Sequence, residues 1–207
     1  MESDLFLERA CKELVSVHAA HTILLYGSRA NGTARPDSDY DIAAFAPVEK
    51  TIRDARIVEG VFLDTFIHPE SELFNPIEEH LKLRGGKIVL QRETEAENFL
   101  HQLERLYVSG PTALPTDEIE ARKMWALKMD ETIKHGDTEA NYRRVWLLTA
   151  LLEDYFHIRG LWFQGPKQSL IWLKEFDASV HEAYCAALAP GASNETIHAL
   201  VKLVIPK

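Results

Sequence analysis

The stretch Ile23 to Phe45, ILLYGSRANGTARPDSDYDIAAF, limits what this chain can fold into more than any other part of it. Ile23 to Tyr26 is a short apolar run of strand type. Gly27 and Ser28 break it at a tight turn. A loop rich in Gly, Asn, Pro, Asp and Ser follows, and it delivers Asp39 and Asp41 just ahead of a second apolar run, Ile42 to Phe45. Residues two apart on a strand point to the same face. The spacing therefore aims both carboxylates at one point.

Two converging carboxylates repel, so one takes up a proton or both bind a cation. Oxygen ligands of this kind suit Mg²⁺, which is held by one or two carboxylates together with substrate phosphates. Gly27-Ser28 supplies the complement. A glycine after a strand lets the backbone approach closely, and the amides that follow can cradle a phosphate if a helix begins there. One end of the loop can thus hold phosphate, and the other the metal that bridges it. Gly-Ser and Asp-x-Asp also occur in ordinary turns, where Asp and Asn bond their own backbone. Two flanking apolar runs and a later strand with an acid in it favour the metal reading.

Gly27-Ser28, ten residues, then Asp39-x-Asp41, with Gly32, Ser38 and the apolar runs on both sides, resembles the signature of the DNA polymerase β-like nucleotidyltransferase superfamily. Within it the chain looks most like small bacterial antibiotic (aminoglycoside and lincosamide) nucleotidyltransferases and the minimal nucleotidyltransferases paired with helical toxin partners. The resemblance implies two Mg²⁺ ions on Asp39, Asp41 and a third carboxylate. Asp64, inside Val61-Phe-Leu-Asp-Thr-Phe-Ile67, is the best match to that third acid. An acid in so apolar a strand is costly to bury unless paired or metal-bound. The resemblance also implies nucleotide contacts from Gly27, Ser28 and Ser38. It covers the first half of the chain well and the second half loosely.

At 207 residues the chain suffices for one large or two small domains. No apolar run approaches the length of a membrane span, and the N-terminal MESDLFLERACKELV is charged rather than signal-like. Cys11 and Cys185 lie far apart and show no metal spacing, which reads as reduced thiols in a cytoplasmic protein. The net charge of −9 argues against non-specific nucleic-acid binding, which runs on Lys and Arg.

Residues 3 to 17 form a helix, with Ser3 as cap. Pro47 to Arg56 is a short helix or irregular crossover, and Arg56 to Glu59 starts a hairpin with Gly60 at the turn. Val61 to His68 is a strand. Glu70 to Leu83 is a broken helix, Lys87 to Gln91 a short strand, and a helix runs from Thr94 toward Tyr107. The expected fold class is α+β, a small mixed sheet with flanking helices followed by a C-terminal helical bundle. The Pro- and Gly-rich segment Ser109 to Pro115 marks the boundary, giving a catalytic domain over 1–110 and a helical domain for substrate or partner over 111–207.

Arg29 is placed to meet a nucleotide phosphate, or is a solvated loop arginine. In the helical half, Glu131, Glu153 and Asp154 are candidates for the base that deprotonates an acceptor hydroxyl. Glu153 is singled out because its helix is apolar, the alternative being a partly exposed or salt-bridged helix residue. Lys167, beside the aromatic Leu161 to Pro166 loop, is a candidate phosphate contact. Trp125, Trp146, Trp162 and Trp172 fit core packing at helical spacing.

The expected function is transfer of a nucleoside monophosphate, AMP from ATP first, to a hydroxyl of a small-molecule acceptor such as an aminoglycoside-like antibiotic. Transfer to a protein partner and a non-catalytic nucleotide-binding module are the alternatives. A nucleoside triphosphate is the expected ligand, membrane and nucleic-acid partners are not expected, and a homodimer is left open.

Overall fold

The computed structural model describes residues 4–205. The chain divides between Ser109 and Gly110 into two compact units.

The first unit is built on a five-stranded sheet. Helix α1 (Leu5–His18) leads into strands β1 (Thr22–Tyr26), β2 (Tyr40–Ala46), β3 (Ile52–Val58), β4 (Val61–Pro69) and β5 (Lys87–Leu90). A one-turn helix, α2 (Gly27–Asn31), follows β1, and α3 (Glu95–Ser109) follows β5. The strand order is β3-β4-β2-β1-β5. β2 and β4 run parallel and every other pair is antiparallel, so the sheet is mixed.

Alternation along the strands sorts the sheet into two faces. Ile23, Leu25, Ile42, Ala44, Leu63 and Ile67 pack on one face with Ala10 and Leu14 of α1. The opposite face begins with Tyr26, Asp41 and Asp64 and continues into Phe45, which meets Phe99 of α3 edge-on at 5.1 Å. Phe45 and Phe99 are fully buried, each stabilising the fold by about 1.5–3 kcal/mol. That face is therefore apolar at one end and carries the acids at the other.

Ser3, the cap expected for the first helix, lies outside the described residues. Asp4 caps α1 by accepting from the Leu7 amide at 3.1 Å. The same carboxylate accepts from the Tyr40 hydroxyl at 2.7 and 2.9 Å, tying α1 to the start of β2.

The segment 47–56 departs from the expected helix or crossover, because Ile52 opens the full-length strand β3. β3 is an edge strand exposed along most of its length. It buries neither face, so no alternation of apolar residues announces it, and its pairing to β4 defines it. The Glu59-Gly60 turn closes the expected hairpin. The broken helix of 70–83 consists of two 3₁₀ segments, Glu70–Leu73 and Glu78–Leu83, rather than α-helix.

The second unit is all helical: α4 (Thr116–Thr132), α5 (Thr138–Ile158), α6 (Gly165–Phe176), α7 (Ala178–Leu188) and α8 (Asn194–Val204). Its core gathers Met129, Leu147, Leu151, Phe156, Leu173, Tyr184 and Leu200, with Trp125 and Trp172 packed against it. Among the described residues no helix is long and apolar enough to cross a membrane.

Candidate active site

Asp41 sits at the centre of the polar end of the sheet. It pairs with Tyr26 across the antiparallel β1–β2 ladder and with Asp64 across the parallel β2–β4 ladder. In-register neighbours share a face. The fold thus sets two acids that are far apart in sequence side by side on adjacent strands.

Gly27 makes room for one of them. It adopts φ +70°, and a Cβ added there would lie 2.1 Å from Asp41 Oδ2. Any side chain at this position would occupy the space of the carboxylate. Glycine is thus required twice, by the left-handed backbone and by the close approach.

Asp39 precedes β2 by one residue and is exposed. The loop bringing it there is held by Arg29. Its guanidinium donates to the Ser38 carbonyl at 2.6 and 3.1 Å and to the Asp39 carbonyl at 3.1 Å. It also lies 3.9 Å over the Tyr40 ring. Ser38 Oγ accepts from the Arg35 amide at 2.8 Å, closing the turn just ahead of the acids. Ser28 is half-buried in α2, and Gly32 ends that turn in a left-handed conformation with its N–H on the Ser28 carbonyl.

Asp64 is held by two hydrogen bonds of 2.9 Å from Arg53 Nε and Nη2. Such bidentate charge-assisted contacts fix geometry as well as charge. Lys82, on the second 3₁₀ segment, places its ammonium 3.5 Å over the Phe66 ring and 5.9 Å from the Tyr26 ring. Burial lowers the affinity of that amine for its proton, and Asp64 and Asp41 oppose the shift. Burial, followed by the charges of Asp41 and Asp64, pushes the Tyr26 phenol well above its ordinary range. Sequence reasoning missed Arg53 and Lys82. Arg53 falls where no strand is legible, and Lys82 lies in the mixed run Glu78-Glu-His-Leu-Lys-Leu-Arg84.

The donors at the polar end are all carboxylate oxygens, and Gly27 leaves the Asp41 carboxylate space that a Cβ would fill. This set fits a hard divalent cation. A second group, His68, Glu72 and His80, has its ligand atoms within 4.8 Å of one another. It reads differently. The Ile77 amide donates to His80 Nδ1 at 3.1 Å, so the ring proton lies on Nε2 and is donated to Glu72 at 2.8 Å. His68 Nδ1 lies 2.9 Å from the same Glu72 oxygen. A metal on His80 Nε2 would require loss of that proton while Nδ1 still faces an N–H. The trio is instead a hydrogen-bonded cluster that ties β4 to the 3₁₀ segments.

In the helical unit Glu153 is half-buried, 3.6 Å from His157 Nδ1. Asp154 is buried and accepts from Arg122 at 2.8 Å; burial raises its pKa, which Arg122 opposes. Glu131 is exposed and pairs with Lys134 at 2.6 Å. Lys167 is exposed in the first turn of α6. A pocket of about 410 Å³ is lined by Arg122, Trp125, Trp146 and Asp154, the two indoles meeting edge-on at 5.1 Å.

The nucleotidyltransferase-domain family profile matches residues 7–107, almost the whole of the first unit. That matched stretch is a nucleotidyltransferase domain of the polymerase β-like type. Nucleotidyl transfer is the general chemistry of such domains, and their members generally use divalent metals. Among solved structures the chain is similar to a nucleotidyltransferase-like protein from Exiguobacterium sibiricum, with 13% identity, 96% of this chain and 73% of that chain covered, and a TM-score of 0.45. Comparison with curated proteins gives no match.

Proposed function

We propose that the chain transfers a nucleoside monophosphate, AMP from ATP first, to a hydroxyl of a small-molecule acceptor of the aminoglycoside-like class. The observation that carries this reading is the in-register pairing of Asp41 with Asp64 beside a glycine that cannot bear a side chain. Asp39, Asp41 and Asp64 would hold two Mg²⁺ ions. When bound, such ions supply a Lewis acid for the acceptor oxygen and neutralise charge on the departing pyrophosphate.

The protein's own groups then do the positioning. Gly27 and Ser28 receive the phosphates where β1 ends, and Ser38 fixes the turn that presents Asp39. Arg29 acts through that loop: its guanidinium is engaged by the Ser38 and Asp39 carbonyls. For bond formation the acceptor hydroxyl must lose its proton. Glu153 of the helical unit is the candidate base, and Lys167 a candidate further phosphate contact. The Trp125–Trp146 pocket supports a built-in acceptor site in the same unit. This favours a small molecule over a protein as acceptor.

The test is transfer of label from α-³²P-ATP to a panel of hydroxylated acceptors, aminoglycosides first, by wild type and Asp41→Asn. Labelled acceptor with wild type and none with the variant is the expected result. Full activity in Asp41→Asn would overturn the metal assignment. Labelling of a co-purified protein instead of any small molecule, read by mass spectrometry, would move the acceptor to the protein class.

A further inference from the structure

We propose that Lys82 is a nucleotide-binding residue, its ammonium receiving the polyphosphate of the nucleoside triphosphate bound beside Asp41 and Asp64. The inference rests on the nucleotidyl-transfer reading above and assigns to it a residue that the sequence did not suggest.

Phe66 lies two residues beyond Asp64 on β4 and so shares its face, and Tyr26 is the cross-strand partner of Asp41. An ammonium 3.5 Å over the first ring and 5.9 Å from the second overhangs the carboxylate patch. The position is also anchored. Leu81 and Leu83, on either side of Lys82, are buried at 5% and 0% exposure. A Cβ on Gly86 would come within 2.9 Å of the Leu83 carbonyl, so the chain leaves the 3₁₀ segment by a tightly packed path. The backbone carrying Lys82 is therefore fixed, while its side chain, partly covered by the two rings, still reaches solvent.

Arg53 is committed to Asp64 through both of its bonds, and Arg29 is committed to two loop carbonyls. Lys82, among the described residues, forms no salt bridge with a carboxylate; its near neighbours are the faces of two aromatic rings. A cation held over aromatic faces keeps its donors available for an incoming anion. Lysine is well suited to this task, as a compact charge with three rotatable donors. A polyphosphate with one end at Gly27-Ser28 and its metal at Asp41 and Asp64 would bring its oxygens to this patch.

The rival explanation is that Lys82 merely offsets the charge of Asp41 and Asp64. Binding measurements separate the two. Wild type, Lys82→Ala, Lys82→Arg and Asp41→Asn are titrated calorimetrically with α,β-methylene-ATP in the presence of Mg²⁺, and separately with Mn²⁺ alone. Loss of one charge-assisted contact predicts that Lys82→Ala binds the analogue at least about tenfold more weakly. Lys82→Arg should retain most of the affinity, with unchanged thermal stability in both. In turnover, Lys82→Ala should raise the KM for ATP more than it lowers kcat. Unchanged analogue affinity in Lys82→Ala overturns the proposal, and tighter Mn²⁺ binding in that variant would then identify a simple counter-ion. If wild type binds the analogue and Asp41→Asn does not, the reading of the site stands whatever Lys82 does. If wild type fails to bind it at all, the reading falls and Lys82 with it.

Discussion

Arg53 closes on Asp64 through two hydrogen bonds of 2.9 Å, Nε to Oδ1 and Nη2 to Oδ2. The guanidinium thus occupies both oxygens of an acid proposed to hold metal. Occupation by Arg53 and coordination of a cation compete for the same lone pairs. Arg53→Ala should therefore bind Mn²⁺ severalfold more tightly in the absence of nucleotide, as read by electron paramagnetic resonance. Thermal stability should change little, because the arginine is solvent-exposed. Equal Mn²⁺ affinity in the two proteins would show that Asp64 takes no part in the site.

Gly27→Ala tests the close approach at Asp41. The new methyl group would stand 2.1 Å from Oδ2 on a backbone of φ +70°. The strained conformation and the displaced carboxylate together should cost about 1–3 kcal/mol and remove nucleotide binding. Gly60→Ala is the control. Its φ is +82°, but nothing lies within 4 Å of the added atom, so a cost of about 1–2 kcal/mol with binding intact is expected. Denaturant melts and analogue titrations on both variants check the pair.

Arg29→Ala removes the donors that hold the Ser38 and Asp39 carbonyls. Asp39 would lose its fixed position while the sheet beneath stays intact. Turnover should fall by up to about a hundredfold, the scale expected when a reacting group shifts by an ångström. Far-ultraviolet circular dichroism should be unchanged. Steady-state kinetics beside a melt would show whether the arginine acts on the loop as described.

The His68–Glu72–His80 cluster makes stability depend on pH. Burial, the largest influence, lowers the His68 pKa from its ordinary 6.5, with Glu72 opposing. The unfolded chain takes up a proton near 6.5 that the folded protein resists. Stability from this group is thus full above that value and is lost as pH falls through it toward the depressed folded value. The slope is at most about 1.4 kcal/mol per pH unit. Urea melts from pH 7.5 to 5 should show the loss in wild type and a flatter profile in His68→Phe. Identical profiles would show that His68 is not the group responsible.

The parts of the candidate site that were legible in the sequence share a property. Gly27, Ser28, Asp39 and Asp41 are fixed by local rules: a glycine at a positive φ, a turn, and two acids flanking the start of a strand. Asp64 could be picked out because an acid stands out in Val61 to Ile67. β3 was not legible. Its residues Ile52-Arg-Asp-Ala-Arg-Ile-Val58 bury neither face, and long-range pairing to β4 makes them a strand. Arg53 and Lys82 were missed for the same reason. Their meeting around Asp64 and Phe66 depends on strand order and on a 3₁₀ segment folding back, neither of which has a local signature. Arg29 was visible as a cation, but its target was not: the structure directs it to the backbone of its own loop.

The most direct measurement is calorimetric binding of a non-hydrolysable ATP analogue with Mg²⁺ to wild type and Asp41→Asn, each with and without the metal. Saturable binding to wild type that needs the metal and disappears in the variant is expected, with no change in melting temperature large enough to explain the loss. Binding of equal strength to both proteins, or binding indifferent to the metal, would contradict the metal assignment.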